Sequence, residues 1–119
     1  NKKSGCPKCK ESNGERIIRL YLEEKNIKYD IEKRFKNCKY KYTLPFDFYL
    51  PDYNICIEFD GEQHFRKHKI WGEEKFKNTI RNDKIKTSFC KENNIKLIRI
   101  KYNDDIEKRI LTEIENFKI

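Results

Sequence analysis

The chain has 119 residues, enough for one domain with a modest core and too few for two. Lys and Arg total 28 against 20 Asp and Glu, and the formal net charge of +8 indicates either a polyanionic partner or ordinary solubility charge. Aromatic residues make up 13%, which excludes the composition of a disordered segment. No apolar run approaches the roughly 18 residues of a membrane span and no signal peptide opens the chain, so we expect an intracellular protein without a membrane partner.

The five cysteines are an odd number without framework spacing, which predicts reduced thiols. Cys6 and Cys9 have the spacing of half a zinc site, whereas a complete structural site needs four ligands. We therefore treat residues 1–11 as a separate N-terminal segment, with structural Zn²⁺ as one interpretation, and residues 12–119 as one domain. The chain lacks Met and begins at Asn1, which predicts a fragment of a longer protein.

Helix and strand patterns alternate along this domain. Ser12 and Glu15 form a capping-box pattern, so a first helix is expected over about 12–26. A short extended segment near 29–35 follows, and a basic loop or strand edge is expected over 36–43.

A long helix is predicted over about 73–93, and its inward face should contain Phe76, Ile80, Asp83, Thr87 and Cys90. A strand over 95–102 follows, and the closing helix carries one apolar face with Ile106, Ile110, Ile114 and Phe117. This order predicts an α/β sandwich with a mixed sheet, in which the long helix makes a crossover.

The middle of the chain predicts a β-hairpin with a turn at 51–54. That turn places Asp47 opposite Glu58, where like charges about 4.5 to 5.5 Å apart repel each other. A divalent cation, Mg²⁺ or Mn²⁺, is the simplest compensation, so we predict both residues as metal ligands. The alternative is that these acids and Asp60 are solvated on an exposed sheet face.

Two further residues are candidates for the same site. His64 has a suitable intrinsic pKa for a general base near neutrality, although a phosphate contact is an equal alternative. Asp83 falls on the apolar stripe of its helix, where an unpaired charge is costly, so a partner is expected: His64, Arg99 or a lysine of the helix. Contacts to the DNA backbone are predicted for two basic stretches, which contain Lys36, Lys39, Tyr40 and Lys41, and Arg66, Lys67, His68 and Lys69.

The segments PFDFYLP at 45–51 and IEFDGEQH at 57–64 resemble the restriction-endonuclease-like, PD-(D/E)xK superfamily. Within it, the chain is similar to very short patch repair endonucleases and to phage-type homing endonucleases with an EDxHD pattern. The pair Asn82-Asp83 and the strand LIRI at 97–100 continue the resemblance, which covers the chain from about Gly14 to Tyr102.

The resemblance implies a restriction-endonuclease-like sandwich with a mixed central sheet flanked by helices. It would make Glu15 the first acid, Asp47 a metal ligand, His64 the base or proton shuttle and Asp83 the partner of His64. The chain departs from the superfamily at the motif lysine, where it has Asp60. Either His64 or Lys86, one helical turn beyond Asp83, would then activate the water.

These features predict the catalytic domain of a metal-dependent, site-specific DNA endonuclease of the homing type, acting on double-stranded DNA. A mismatch-repair nickase, a noncatalytic DNA-binding module and an RNA nuclease are the alternatives. Cutting both strands would require a dimer on DNA or two sequential nicks. We also expect DNA-recognition domains upstream of the chain and a location in bacterial or phage-infected cytoplasm.

Overall fold

The computed structural model describes residues 12–60 and 73–117. These ranges contain three helices and four strands, in the order predicted from the sequence. The elements are α1 (Asn13–Glu24), β1 (Asp30–Lys39), β2 (Thr43–Leu50), β3 (Ile55–Asp60), α2 (Glu73–Glu92), β4 (Lys96–Lys101) and α3 (Ile106–Phe117). The fold is therefore α/β. None of the helices in the described ranges is long and apolar enough to cross a membrane.

The four strands form one mixed sheet in the order β1-β2-β3-β4. β1 and β2 are antiparallel, as are β2 and β3, whereas β3 and β4 are parallel and are connected through α2. The hairpin pairs Phe48 with Ile57, Tyr49 with Cys56 and Leu50 with Ile55, which confirms the predicted register next to the turn. The strand pairing ends at Phe48, so the predicted pairing of Asp47 with Glu58 is not formed. The parallel pair also confirms the predicted crossover, because parallel neighbours cannot be joined by a tight turn.

Each side of the sheet has its own apolar core. One core joins α1 and α3 to the sheet through residues such as Ile18, Leu22 and Ile110. The other core contains Phe46 and three buried cysteines, Cys38, Cys56 and Cys90, with side chains of α2 packed against it. These three cysteines are free thiols, as the cysteine count predicted.

The inward face of α2 differs from the prediction. Ile85, Phe89 and Cys90 contribute to the core, whereas Ile80 is 39% exposed. The row that contains Ile80, Asp83 and Thr87 instead lines a groove of about 490 Å³ beside the sheet. The reason is that half of the residues of α2 are charged, so its few apolar residues define no single stripe, and packing against the sheet selects the face.

The first strand also runs further than predicted. β1 extends to Lys39, so residues 36–39 belong to the edge strand and not to a separate loop. Its side chains are mostly exposed, which removes the alternation that would have revealed the strand.

Candidate active site

The strands β2 and β3 separate at Asp47. Phe46 and Phe48 lie in different cores, although residues two apart in a regular strand point to the same face. Where the strands separate, hydrogen bonds from backbone amides to side chains link β2 to β3. The backbone N–H of Asp47 donates to Oε2 of Glu58 over 2.9 Å, and the N–H of Phe59 donates to Oδ2 of Asp47 over 2.8 Å. Each carboxylate is thus held by an amide of the opposite strand. We call Asp47 and Glu58 the carboxylate pair.

A lysine of α2 completes this cluster. Nζ of Lys86 lies 2.9 Å from Oε1 of Glu58, and only 12% and 9% of the two side chains are exposed. Nζ of Lys86 also lies 5.3 Å from the centre of the Phe46 ring. Because a buried charge is costly without a partner, each of these two side chains provides the other with a counter-charge. The alternative prediction, that Glu58 is solvated on an exposed face of the sheet, is therefore wrong, because Glu58 is only 7% exposed.

The electrostatics of the site oppose ionisation of Asp47. Burial and the negative charge of Glu58 raise the pKa of Asp47 to about 7, against the lowering effects of the Phe59 hydrogen bond and of Lys86. Glu15 contributes a further increase in this pKa. Asp47 therefore binds a proton more readily than an ordinary carboxyl group does, and a cation bound here would favour the charged form.

Helix α1 begins close to the carboxylate pair. The predicted capping box is confirmed, because the N–H of Ser12 donates to Oε1 of Glu15 over 3.0 Å and the N–H of Glu15 donates to Oγ of Ser12 over 3.2 Å. A Cβ atom at Gly14 would lie 2.0 Å from Cζ of Phe59, so this glycine allows the helix to approach β3. The effect on the pKa of Asp47 places Glu15 within electrostatic range of the carboxylate pair.

Asp83 pairs with Arg99, which was one of its predicted partners. Nη1 of Arg99 lies 3.8 Å from Oδ1 of Asp83, while Nη2 donates to the Asp83 carbonyl and to Oγ1 of Thr87, both over 3.2 Å. Asp60 lines the same groove. The predicted contact between Asp83 and His64 lies outside the described residues.

Several other predicted residues also lie outside the described ranges, namely Cys6, Cys9, His64, Arg66, Lys67, His68 and Lys69. Lys36, Lys39, Tyr40 and Lys41 are exposed, at the end of β1 and in the turn to β2. Arg81 was not predicted from the sequence, and its Cζ lies 3.7 Å from the centre of the Tyr40 ring. This contact joins α2 to the turn, and no spacing in the sequence indicates it.

The donor atoms of the carboxylate pair fit a magnesium site. Within residues 12–60 and 73–117, no group of three or more His, Cys, Asp or Glu side chains could hold a metal ion. Mg²⁺ does not require such a group, because it commonly uses one or two carboxylates together with waters and substrate phosphate. Oδ1 of Asp47 makes no hydrogen bond with the described residues, so it is the oxygen that Asp47 would offer to a cation.

The fold and the site define an α/β protein with a partly buried carboxylate pair, beside a lysine, at the point where β2 and β3 separate. The chain belongs to a family of unknown function, DUF5889, whose model matches residues 42–119. Its matched range includes Asp47, Glu58 and Lys86.

A relative is Uncharacterized protein 307L of Invertebrate iridescent virus 6, which is 32% identical over 63 residues. The match covers 51% of this chain and 32% of the relative, so the chain spans about a third of that protein's length. No solved structure matches the chain at a significant level.

Proposed function

We propose that this chain is the catalytic domain of a metal-dependent DNA endonuclease with a restriction-endonuclease-like sandwich. The observation that carries this proposal is the carboxylate pair, whose members each accept a hydrogen bond from the opposite strand. Two acids beside each other in a partly buried site destabilise the sheet. Such an arrangement is typical of a site whose ligand supplies the missing positive charge.

Asp47 and Glu58 would hold the cation, Mg²⁺ or Mn²⁺. When bound, it would supply charge neutralisation at the scissile phosphate and lower the pKa of a water. The amides of Asp47 and Phe59 hold the two carboxylates in fixed orientations, so little rearrangement is needed.

Lys86 takes the place of the lysine that the resemblance leads us to expect in β3. Its ammonium group has three N–H donors, of which one is directed to Glu58. The remaining donors can bind a phosphate oxygen or orient the attacking water. We retain His64 as the alternative proton acceptor, with Asp83 as its partner.

The excess of Lys and Arg supports DNA as the substrate, because cations that neutralise phosphates release counterions and strengthen binding. The exposed lysines 36, 39 and 41 lie on the edge strand and its turn, where a nucleic acid can reach them. Because each chain has one site, cutting both strands would require two copies of the chain or two successive nicks. We propose homing-type cleavage, with recognition domains supplied by a longer protein.

The test is conversion of supercoiled plasmid to nicked or linear DNA by the wild-type chain with Mg²⁺ or Mn²⁺. Asp47→Asn should lose at least about 100-fold in rate, because it weakens cation binding and removes an electrostatic contribution to the transition state. Asp52→Asn is the matched control, since Asp52 is exposed in the turn between β2 and β3. Its rate should equal that of the wild type.

Four results would contradict the proposal. Cleavage that persists in EDTA would exclude a cation-dependent mechanism, and equal rates for the two Asp variants would remove Asp47 from it. Duplex binding without cleavage under either cation would favour a noncatalytic DNA-binding module. Cleavage of RNA alone in a parallel assay would assign a different substrate.

A further inference from the structure

A second concave surface lies near the carboxylate pair, between the turn from β1 to β2 and the first half of α2. It encloses about 480 Å³. We call it the aromatic groove. Tyr40, Lys41, Tyr42 and Leu44 line one wall, and Glu74, Asn78, Arg81 and Asn82 of α2 line the other. Of these residues, the function proposed above uses only Lys41, as a contact to the nucleic acid.

The position of Arg81 makes the groove a stacking surface. Its guanidinium carbon lies 3.7 Å from the centre of the Tyr40 ring. Nη1 donates to Oδ1 of Asn78 over 3.0 Å, and Nη2 donates to Oδ1 of Asn82 over 3.4 Å, so two amides hold the guanidinium in place. Nε of Arg81 is buried without a hydrogen-bond partner. Arginine planes and aromatic rings are the side chains on which unpaired bases stack.

The exposed rings and the polar side chains of the groove suit a base. Tyr42 is 81% exposed and Tyr40 is 50% exposed, so both rings are accessible. The Glu74 carboxylate lines the groove together with the cations of Lys41 and Arg81. The same carboxylate can accept a hydrogen bond from the edge of a base, while the side-chain N–H groups of Asn82 can donate one.

Both walls of the groove, α2 and β2, continue towards the carboxylate pair. On α2, Asn82 and Lys86 are four residues apart and therefore lie about 6 Å from each other along one side of the helix. On β2, Leu44 lines the groove, and Lys86 lies beside Phe46, two residues further along. A strand bound in the groove would thus continue directly to the carboxylate pair.

We propose that the aromatic groove binds an unpaired base of a DNA strand whose neighbouring phosphate lies at the carboxylate pair. This inference rests on the proposed nuclease function for the course of the strand. A base within a duplex is stacked and paired, so it cannot enter without leaving the helix. The substrate class is therefore DNA with unpaired nucleotides beside the cut, such as a bubble, a flap or a single strand.

The test is fluorescence anisotropy in EDTA, where binding is measured without cleavage. The probes are a labelled duplex, the same duplex with a central bubble of unpaired thymines, and the single strand. The wild type should bind the bubble and the single strand at least about tenfold more tightly than the duplex. Tyr42→Ala should reduce binding to both by roughly five- to 100-fold, the usual loss for one stacked base, and change duplex binding by less than about twofold.

Tyr40→Phe retains the ring and should bind like the wild type, whereas Tyr40→Ala should behave like Tyr42→Ala. Leu111→Ala is the control, because Leu111 is a similarly exposed apolar side chain, 45% accessible, on α3. Equal wild-type affinity for duplex and bubble, or equal losses on both probes in Tyr42→Ala, would overturn the inference. So would exclusive binding of an RNA strand of the same sequence. Bubble preference without cleavage would leave the inference standing and count against the nuclease alone.

Discussion

Asp47 and Glu58 are each bound to the strand that carries the other. The sequence predicts that they lie opposite one another, because the turn at 51–54 determines the register. It does not predict that Glu58 accepts a hydrogen bond from the Asp47 amide and that Asp47 accepts one from the Phe59 amide. These hydrogen bonds depend on where the two strands separate. A regular hairpin would have directed both acids to one face without holding either.

Lys86 was predicted as one of two alternatives for activating the water, and the structure places it against Glu58. The spacing of Lys86 from Asp83 could not predict this contact. It relates two residues of α2 to each other and does not indicate which residue of the sheet lies beside Lys86. Which of the two alternatives acts in catalysis stays a prediction.

We predict that Lys86→Ala lowers the cleavage rate by about 100-fold or more, because it removes a cation from the transition state. It should also lower the free energy of unfolding by roughly 3 kcal/mol, since it leaves the buried Glu58 carboxylate without its partner. The measurements are plasmid cleavage at a temperature where both proteins are folded, and urea unfolding.

Lys84→Ala is the matched control for that change, because Lys84 is exposed on the same helix two residues away. Its unfolding free energy should stay within about 0.5 kcal/mol of the wild type. A Lys86→Ala protein that cleaves at the rate of Lys84→Ala would transfer the activating role to His64.

Among the elements, β3 could be predicted in full, β2 from Phe46 onwards, and α1 to within two residues at either end. Alternating apolar residues and a polar turn define the hairpin, while the capping box marks the start of the helix. The inner face of α2 could not be predicted in the same way. Ile85 and Phe89 face the core because of contacts with β1 and β4, which are distant in sequence.

Helix α1 depends on Gly14 to reach the carboxylate pair. We predict that Gly14→Ala lowers the free energy of unfolding by about 1 kcal/mol. The added methyl group would overlap the Phe59 ring, at a typical cost of about 1 to 3 kcal/mol, and the better helix propensity of alanine would offset about 1 kcal/mol of this. Urea denaturation would measure the difference.

The control for this change is Asn13→Ala, at an exposed position one residue earlier in the same helix. It should shift the unfolding free energy by less than about 0.5 kcal/mol. If Gly14→Ala were more stable than the wild type, the close packing of α1 on β3 would be wrong, and the influence of Glu15 on the site would lose its basis.

At the scale of the whole molecule, helices cover both faces of the sheet, and the carboxylate pair lies where β2 and β3 separate. The site draws on α1, both strands of the hairpin and α2, so it exists only when the fold is complete. Residues 42–119, which match the family model, contain the carboxylate pair and Lys86, while α1 and β1 precede them. The formal net charge of the chain is +8, which fits the polyanionic partner proposed above.

The most direct test of the central claim is calorimetric titration of the chain with Mn²⁺ at pH 5.5 and pH 8. The account predicts one ion per chain. Its affinity should be roughly 30-fold higher at pH 8, because the ion must displace the proton from Asp47, whose pKa is raised to about 7. Asp47→Asn should weaken binding strongly, and Asp52→Asn should not. Equal affinity at the two pH values, or equal affinity for the two variants, would contradict the assignment of the carboxylate pair as a metal site.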